Sequence, residues 1–250
     1  MIESLLDPMR WEITFGAMDS FWSGFFITLQ VSIYGLILAL VLGTILGVFS
    51  TTHSRILRAI SRVYVEFYQN TPLPVQVVFM YLMGPQLLQI VTGSPTPVPI
   101  PSVVLGFVGV GLYHAAYVSE VIRTGIEAVP RGQMEAALSQ GFTRAQAYLY
   151  IILPQTFKVI LPPLCNQALN LVKNSSVLAL VAGGDLMYRS NSFVGTYGYL
   201  QGYFVACAMY FVICFPLALL VQFLEKRSKR IPKAKKIDIA AITAETAKEA

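Results

Sequence analysis

Asn166, Asn170, Lys173 and Asn174 recur at helical spacing through an otherwise apolar stretch, with Gln167 beside them. On a helix they share one side. A lysine at the centre of a membrane helix costs roughly 2.5–3.5 kcal/mol on insertion scales, so this stripe should face protein or a watery cavity. Two chemistries fit it: amides that glue helices together, or a polar wall along which a small solute moves. On an unbroken helix at ~1.5 Å per residue, Lys173 stands ~21 Å from Val159, past the membrane midplane. Pro162-Pro163 would kink or unwind the start of that helix. Gln76, Tyr113, His114 and Tyr117 are further polar candidates on neighbouring apolar segments. Covalent and metal chemistry find little support. No nucleophile, base and orienting group stand together, and Glu66 and Glu120 are far apart in sequence. His53 and His114 are isolated, and Cys165, Cys207 and Cys214 lie in apolar runs without a CxxC spacing, so no metal site is expected. No G-x-x-x-x-G-K-[ST] stretch exists to cradle a nucleotide. Gly109-Val110-Gly111, inside an apolar run, reads as helix packing.

A second constellation lies in residues 123–158. Pro130 can open a helix, and Gly132-Gln133-Met134-Glu135-Ala136-Ala137-Leu138 continues it with good helix formers for the most part. Gly141 can stop it, because glycine takes the left-handed conformation at a helix end. Thr143 and Gln146 then form a T-x-x-Q capping box, which starts a second helix running to Leu153-Pro154. The spacing predicts helix, sharp bend, helix.

The elements that carry both constellations are membrane spans. Of the 250 residues, 55% are hydrophobic and only 12% charged, with a mean hydropathy of +0.62. No charge occurs between Phe21 and Ser54, which predicts a first span near Phe21–Phe49. The next charge-free run, Phe67 to Ser119, is split by Thr92-Gly93-Ser94-Pro95-Thr96-Pro97 into helices near Leu73–Ile90 and Val98–Val118. A fourth apolar segment covers Val159 to Ala182 and a fifth Tyr199 to Leu224. The expected fold is all-α and integral to the membrane, with an N-terminal segment 1–20, a five-helix body 21–225 and a basic tail 226–250. Basic residues set its direction. Arg55, Arg58 and Arg62 occupy the first loop, Arg123, Arg131, Arg144 and Lys158 the third, and eight more the tail, against Arg10 and Arg189 on the other side. This predicts the N-terminus outside and the 123–158 loop and C-terminus in the cytoplasm. The net charge of +5 is thus used for orientation, and nucleic acid is not an expected partner.

Glu135-Ala136-Ala137, Gly141 and Ile151-x-Leu153-Pro154 resemble the EAA loop of ABC importer permeases. Ala115-Ala116-Tyr117-Val118-Ser119-Glu120, Pro130-Arg131-Gly132-Gln133, Asn70-Thr71-Pro72-Leu73 with Gln76, and Leu171-Val172-Lys173-Asn174-Ser175-Ser176 resemble the polar amino-acid uptake branch over roughly residues 20 to 225. The chain departs from that branch at Gln69-Asn70, where relatives often carry Arg-Gly, and at Asn174, where Asp is common. The resemblance implies the five-helix core of a type I importer in the cytoplasmic (inner) membrane of a bacterium, carrying an amino acid by alternating access. It implies two ATPase subunits that hold ATP and magnesium, a second permease chain, identical or homologous, and an extracytoplasmic solute-binding protein. Gly132, Glu135, Ala136, Ala137, Gly141, Leu153 and Pro154 would dock the ATPase. Glu135 offers a charge for pairing there, and Ala136-Ala137 permits close approach. Asn170, Lys173, Asn174, Gln76 and Tyr113 would line the substrate passage. An ion-coupled carrier or channel without an ATPase is the alternative, although no internal repeat supports it.

Overall fold

The computed structural model describes residues 5–228, so residues 1–4 and, from residue 229, the expected tail lie outside the described residues. Ten α-helices occur among them: α1 (Pro8–Gly16), α2 (Met18–Thr51), α3 (Arg55–Gln69), α4 (Leu73–Thr92), α5 (Ser102–Glu127), α6 (Arg131–Ser139), α7 (Arg144–Ala147), α8 (Leu153–Asn174), α9 (Leu186–Tyr197) and α10 (Gln201–Ser228). A π-helical turn, Tyr148–Ile152, joins α7 to α8, and a 3-10 helix, Ser175–Val181, extends α8. Five stretches are long and apolar enough to cross a membrane: α2, α4, α5, the continuous run Arg144–Val181, and α10 to Arg227.

Three boundaries differ from the sequence expectation. The third span begins at Ser102 and not Val98, because Pro99 and Pro101 lack the N–H a helix needs and hold their predecessors extended. It also runs on to Glu127, past the apolar limit at Val118, because Arg123 forks between Glu120 (2.7 Å) and Glu127 (2.7 Å) and pairs the charges of the added turns. The fourth span does not break at Pro154. The wider π turn precedes that proline, and the helix then continues through Pro162 and Pro163 to Asn174. Helices α1, α3 and α9 are additions to the five expected.

The core is a parallel pairing of α2 and α5. Gly35, Ala39, Gly43 and Gly47 recur every fourth residue on α2 and are all buried. A Cβ at Gly43 would meet the Ala115 carbonyl oxygen at 2.7 Å, and one at Gly47 the Ser119 oxygen at 2.9 Å. The backbones therefore touch, and dispersion replaces the hydrophobic drive that lipid removes. Val31, Val110, Val118, Ile122, Ile160 and Leu171 complete this cluster, which brings α8 onto the pair. Across it α3 is hydrogen-bonded, Ser61 Oγ to the Leu46 oxygen (2.8 Å) and Tyr64 Oη to the Leu112 oxygen (2.8 Å). The α3–α4 break at Asn70-Thr71-Pro72 is satisfied by side chains. Asn70 Nδ2 donates to Glu66 oxygen (2.8 Å), Thr71 Oγ1 to Phe67 oxygen (2.7 Å), and Gln76 Nε2 to Thr71 oxygen (3.1 Å) and Thr71 Oγ1 (2.6 Å).

Beyond the fourth span the chain turns through Ala182 and Gly184, both left-handed, and fully buried Asp185 caps α9 by accepting from Met187 N (3.1 Å). Thr28 of α2 accepts from Leu186 N (3.1 Å), which pins this corner to the first span. Burial raises the Asp185 carboxyl to about 6.

Two outcomes follow for the purified chain in detergent. Gly43→Val should lower stability by about 1–3 kcal/mol, read as a drop in Tm, whereas Gly195→Ala, with open space around it, should lower nothing. An unchanged Tm for Gly43→Val would refute the close seam. Because the folded Asp185 pKa lies above its unfolded value near 3.8, its stabilising contribution is complete at low pH and is lost as pH rises through about 6. The Tm advantage of Asp185→Asn over the parent should therefore grow from pH ~4 to ~6 and then level off. A constant difference would contradict the raised pKa.

Candidate functional site

The 131–152 hairpin stands at the ends of α5 and the fourth span, and its bend is built from backbone bonds. Gly141 N–H donates to the Leu138 oxygen (3.0 Å) and Phe142 N–H to the Ala137 oxygen (3.1 Å), with Gly141 at φ +86°. This is the paired bonding of a Schellman turn, which occupies the Ala137 and Leu138 carbonyls of the last turn. Thr143 and Gln146 then cap α7 reciprocally, Gln146 N to Thr143 Oγ1 (3.3 Å) and Thr143 N to Gln146 Oε1 (2.9 Å). Gly132, Glu135, Ala136, Leu153 and Pro154 are exposed, while Ala137 is buried against the fold. The small-residue pair is thus divided: Ala137 fixes α6 to its own chain, and Ala136 with Glu135 remains outward. Under the hairpin are two adjoining cavities of about 600 and 550 Å3, both bordered by Ile126, Met134, Tyr148 and Ile152.

The second site lies within the membrane body. Asn166, Asn170 and Lys173 are exposed on α8 and form a polar stripe that this chain leaves uncovered. Gln167 and Asn174, on the adjacent face, clamp His114 of α5. Asn174 Nδ2 donates to Nε2 (3.1 Å), and Nδ1 stands 3.2 Å from Gln167 Oε1. With Nε2 accepting, the proton sits on Nδ1 and the imidazole is neutral. Tyr113 Oη bonds Tyr117 Oη at 2.9 Å beside it. Tyr113 and Asn174 open onto a cavity of about 480 Å3, whose other polar walls are Ser176 and Asn191. That volume suits a small solute. Gln76 is not on this wall. It is buried at the α3–α4 break with its amide nitrogen engaged there.

Sequence reasoning did not single out Asn191 or the role of Ser176, since α9 reads as a connection with no apolar period of its own. It also missed a charged cleft of about 420 Å3, in which Arg58, Arg62 and Glu66 of α3 face Glu120, Arg123 and Glu127 of α5. The i, i+4, i+8 spacing of Arg58, Arg62 and Glu66 was the available signal.

Residues 39–230 match the family model described as binding-protein-dependent transport system inner membrane component. The probable glutamine ABC transporter permease protein GlnM of Bacillus subtilis is 39% identical over 89% of this chain and 99% of its own length. The glutamate/aspartate import permease protein GltJ of Escherichia coli K12 is 34% identical over 84% of this chain and 87% of its own. Among solved structures, an amino acid ABC transporter crystallised with histidines superposes with a TM-score of 0.74 at 30% identity, covering 85% of this chain and 95% of that one. The inward-facing MetNI methionine transporter gives 0.61 at 17% identity, a likeness of fold alone. With an all-helical body of five candidate spans and these matches over most of its length, the chain belongs to the binding-protein-dependent transport inner membrane components, as a permease of the amino-acid ABC importers.

Proposed function

We propose that this chain carries an amino acid across the cytoplasmic membrane of a bacterium by alternating access, as one of two permease chains above a pair of ATPase subunits. The chain performs no chemistry on its cargo, and ATP and magnesium stay on the ATPase. A solute-binding protein delivers the amino acid at the α1 and α9 end, where the N-terminus lies outside, and the 131–152 hairpin faces the cytoplasm.

The observation that carries this reading is the hairpin itself. Two short helices are locked by a Schellman turn and a capping box, and α7 is the first part of one 38-residue helical run, Arg144–Val181, that passes through the π turn without a loop. A push on Glu135, Ala136 or Gly132 is therefore passed to the span that carries Asn170, Lys173 and Asn174. Leu153 and Pro154 sit at the start of that lever. An exposed lysine and two exposed amides in a span would be costly against lipid, so the stripe gains its sense from a second permease chain and a watery passage between them.

The test is reconstitution in vesicles with the cognate ATPase and solute-binding protein. Amino-acid uptake should require ATP, and uptake driven by an ion gradient without ATPase would refute the proposal. Gly141→Val places a β-branched residue at φ +86°, a conformation costing roughly 1–2 kcal/mol or more for side-chain-bearing residues. It should abolish uptake and stimulated ATP hydrolysis while the isolated ATPase keeps its basal rate. Gly141→Asn, which tolerates the left-handed region better, should retain a measurable fraction. Normal transport by the valine variant would remove the hairpin from the mechanism.

A further inference from the structure

The transport reading leaves the cargo's side chain unspecified, and the cavity at the end of α8 speaks to it. Its wall is built from the start of α4 (Leu73, Pro74), Tyr113 of α5, Asn174, the 3-10 helix and α9 (Met187, Asn191). Every polar group on it is neutral: a phenol, two amides and a hydroxyl. The ionisable neighbour that might have changed this, His114, is held uncharged because Asn174 donates to its Nε2. Carboxylates nearby in the fold are committed elsewhere. Glu120 and Glu127 are tied to Arg123 in the separate charged cleft, and Asp185 is fully buried as the cap of α9. The one charge on the adjoining stripe is the exposed ammonium of Lys173.

We infer that this passage admits amino acids with neutral or anionic side chains and bars cationic ones, with Asn174 and Asn191 as specificity-determining residues. The inference rests on the transport reading and adds the selection to it. A zwitterionic cargo with an amide side chain can exchange its water for Asn174, Asn191, Ser176 and Tyr113. A carboxylate side chain is favoured by the field of the Lys173 ammonium, which stands next to Asn174 in the chain though not on the cavity wall. A lysine or arginine side chain would give up its hydration to meet no countercharge on the wall, with one like charge, Lys173, on the adjoining stripe, which costs more than the neutral groups return. Each amide is one atom from a carboxylate, so the selection has a small chemical switch. Asn191→Asp is the gentler change, because Tyr203 Oη donates to Asn191 Oδ1 (3.1 Å) and an aspartate oxygen accepts the same bond. Asn174→Asp also removes the donor that keeps His114 neutral.

The full-length chain in lipid nanodiscs, heated with millimolar glutamine, glutamate, lysine or arginine, tests this directly. Glutamine and glutamate should raise the unfolding temperature, with apparent affinities about tenfold or more above those of lysine and arginine. Asn191→Asp should narrow or invert that ratio without changing the Tm of the unliganded chain, and Asn174→Asp should do the same if it folds. Equal stabilisation by lysine or arginine in the parent, no stabilisation by any of the four, or an unchanged ratio in Asn191→Asp would each overturn the inference. ATP-driven uptake by the assembled importer separates the two failures. Uptake of an amino acid together with a wrong nanodisc ranking removes only the selectivity, whereas no ATP-driven uptake removes the transport reading as well.

Discussion

In lipid, two helices gain nothing by hiding apolar side chains from a solvent that is itself apolar, so they hold together only where their atoms fit closely. The seam between α2 and α5 meets that demand by removing side chains altogether. Gly43 and Gly47 let α2 rest on the Ala115 and Ser119 carbonyls, and Gly35 and Gly111 meet further along, where a Cβ on Gly111 would lie 3.0 Å from the Gly35 oxygen. Every other element is referred to this pair. Helix α3 reaches both members through Ser61 and Tyr64, α8 packs at Gly125 and Gly35, and α9 is pinned at Thr28 and Gly24.

The same solvent makes each polar group answerable within the protein. Where α3 breaks before Pro72, three side chains supply what the missing helix would have supplied. Where α5 carries three charges past its apolar limit, one arginine pairs with both carboxylates in sequence steps of three and four. Against that background the uncovered Asn166, Asn170 and Lys173 differ in kind from His114, Gln167 and Asn174. The second set is closed on itself, and the first makes no side-chain hydrogen bond or ion pair among the described residues. This is the physical distinction between amides that bind helices together and amides left exposed, and spacing alone could not draw it.

What sequence reading recovers here follows the range of the interaction. The bend at Gly141 and the capping of Thr143 by Gln146 depend on residues within five positions, and both were legible. The existence of the five spans was legible because charge is expensive in lipid wherever it falls. Their ends were less so: Pro99 and Pro101 delay α5 by local sterics that hydropathy ignores, and the Arg123 fork prolongs it by pairing that a charge count misreads as a boundary. The clamp on His114 joins residues 53 and 60 positions apart, and the cavity needs α9 brought back over the end of α8. Neither leaves a period in the sequence.

The fourth span runs unbroken although it holds three prolines. Each removes an N–H and crowds a carbonyl one turn earlier. At Pro154 the crowding falls in the π turn Tyr148–Ile152, whose wider bore gives the ring room without ending the helix. At Pro162 and Pro163 the helix also continues, packed by Ile160 against Gly125, where a Cβ would meet Ile160 side-chain carbon. The departures from α-helical geometry lie at the two extremities, in the π turn beside the hairpin and in the 3-10 segment with left-handed Ala182 and Gly184 beside the cavity. Between them Ile160, Gln167, Leu171 and Asn174 hold the shaft to α5. Asn166, Asn170 and Lys173 thus sit on one continuous helical shaft, between two ends where the helix changes its geometry.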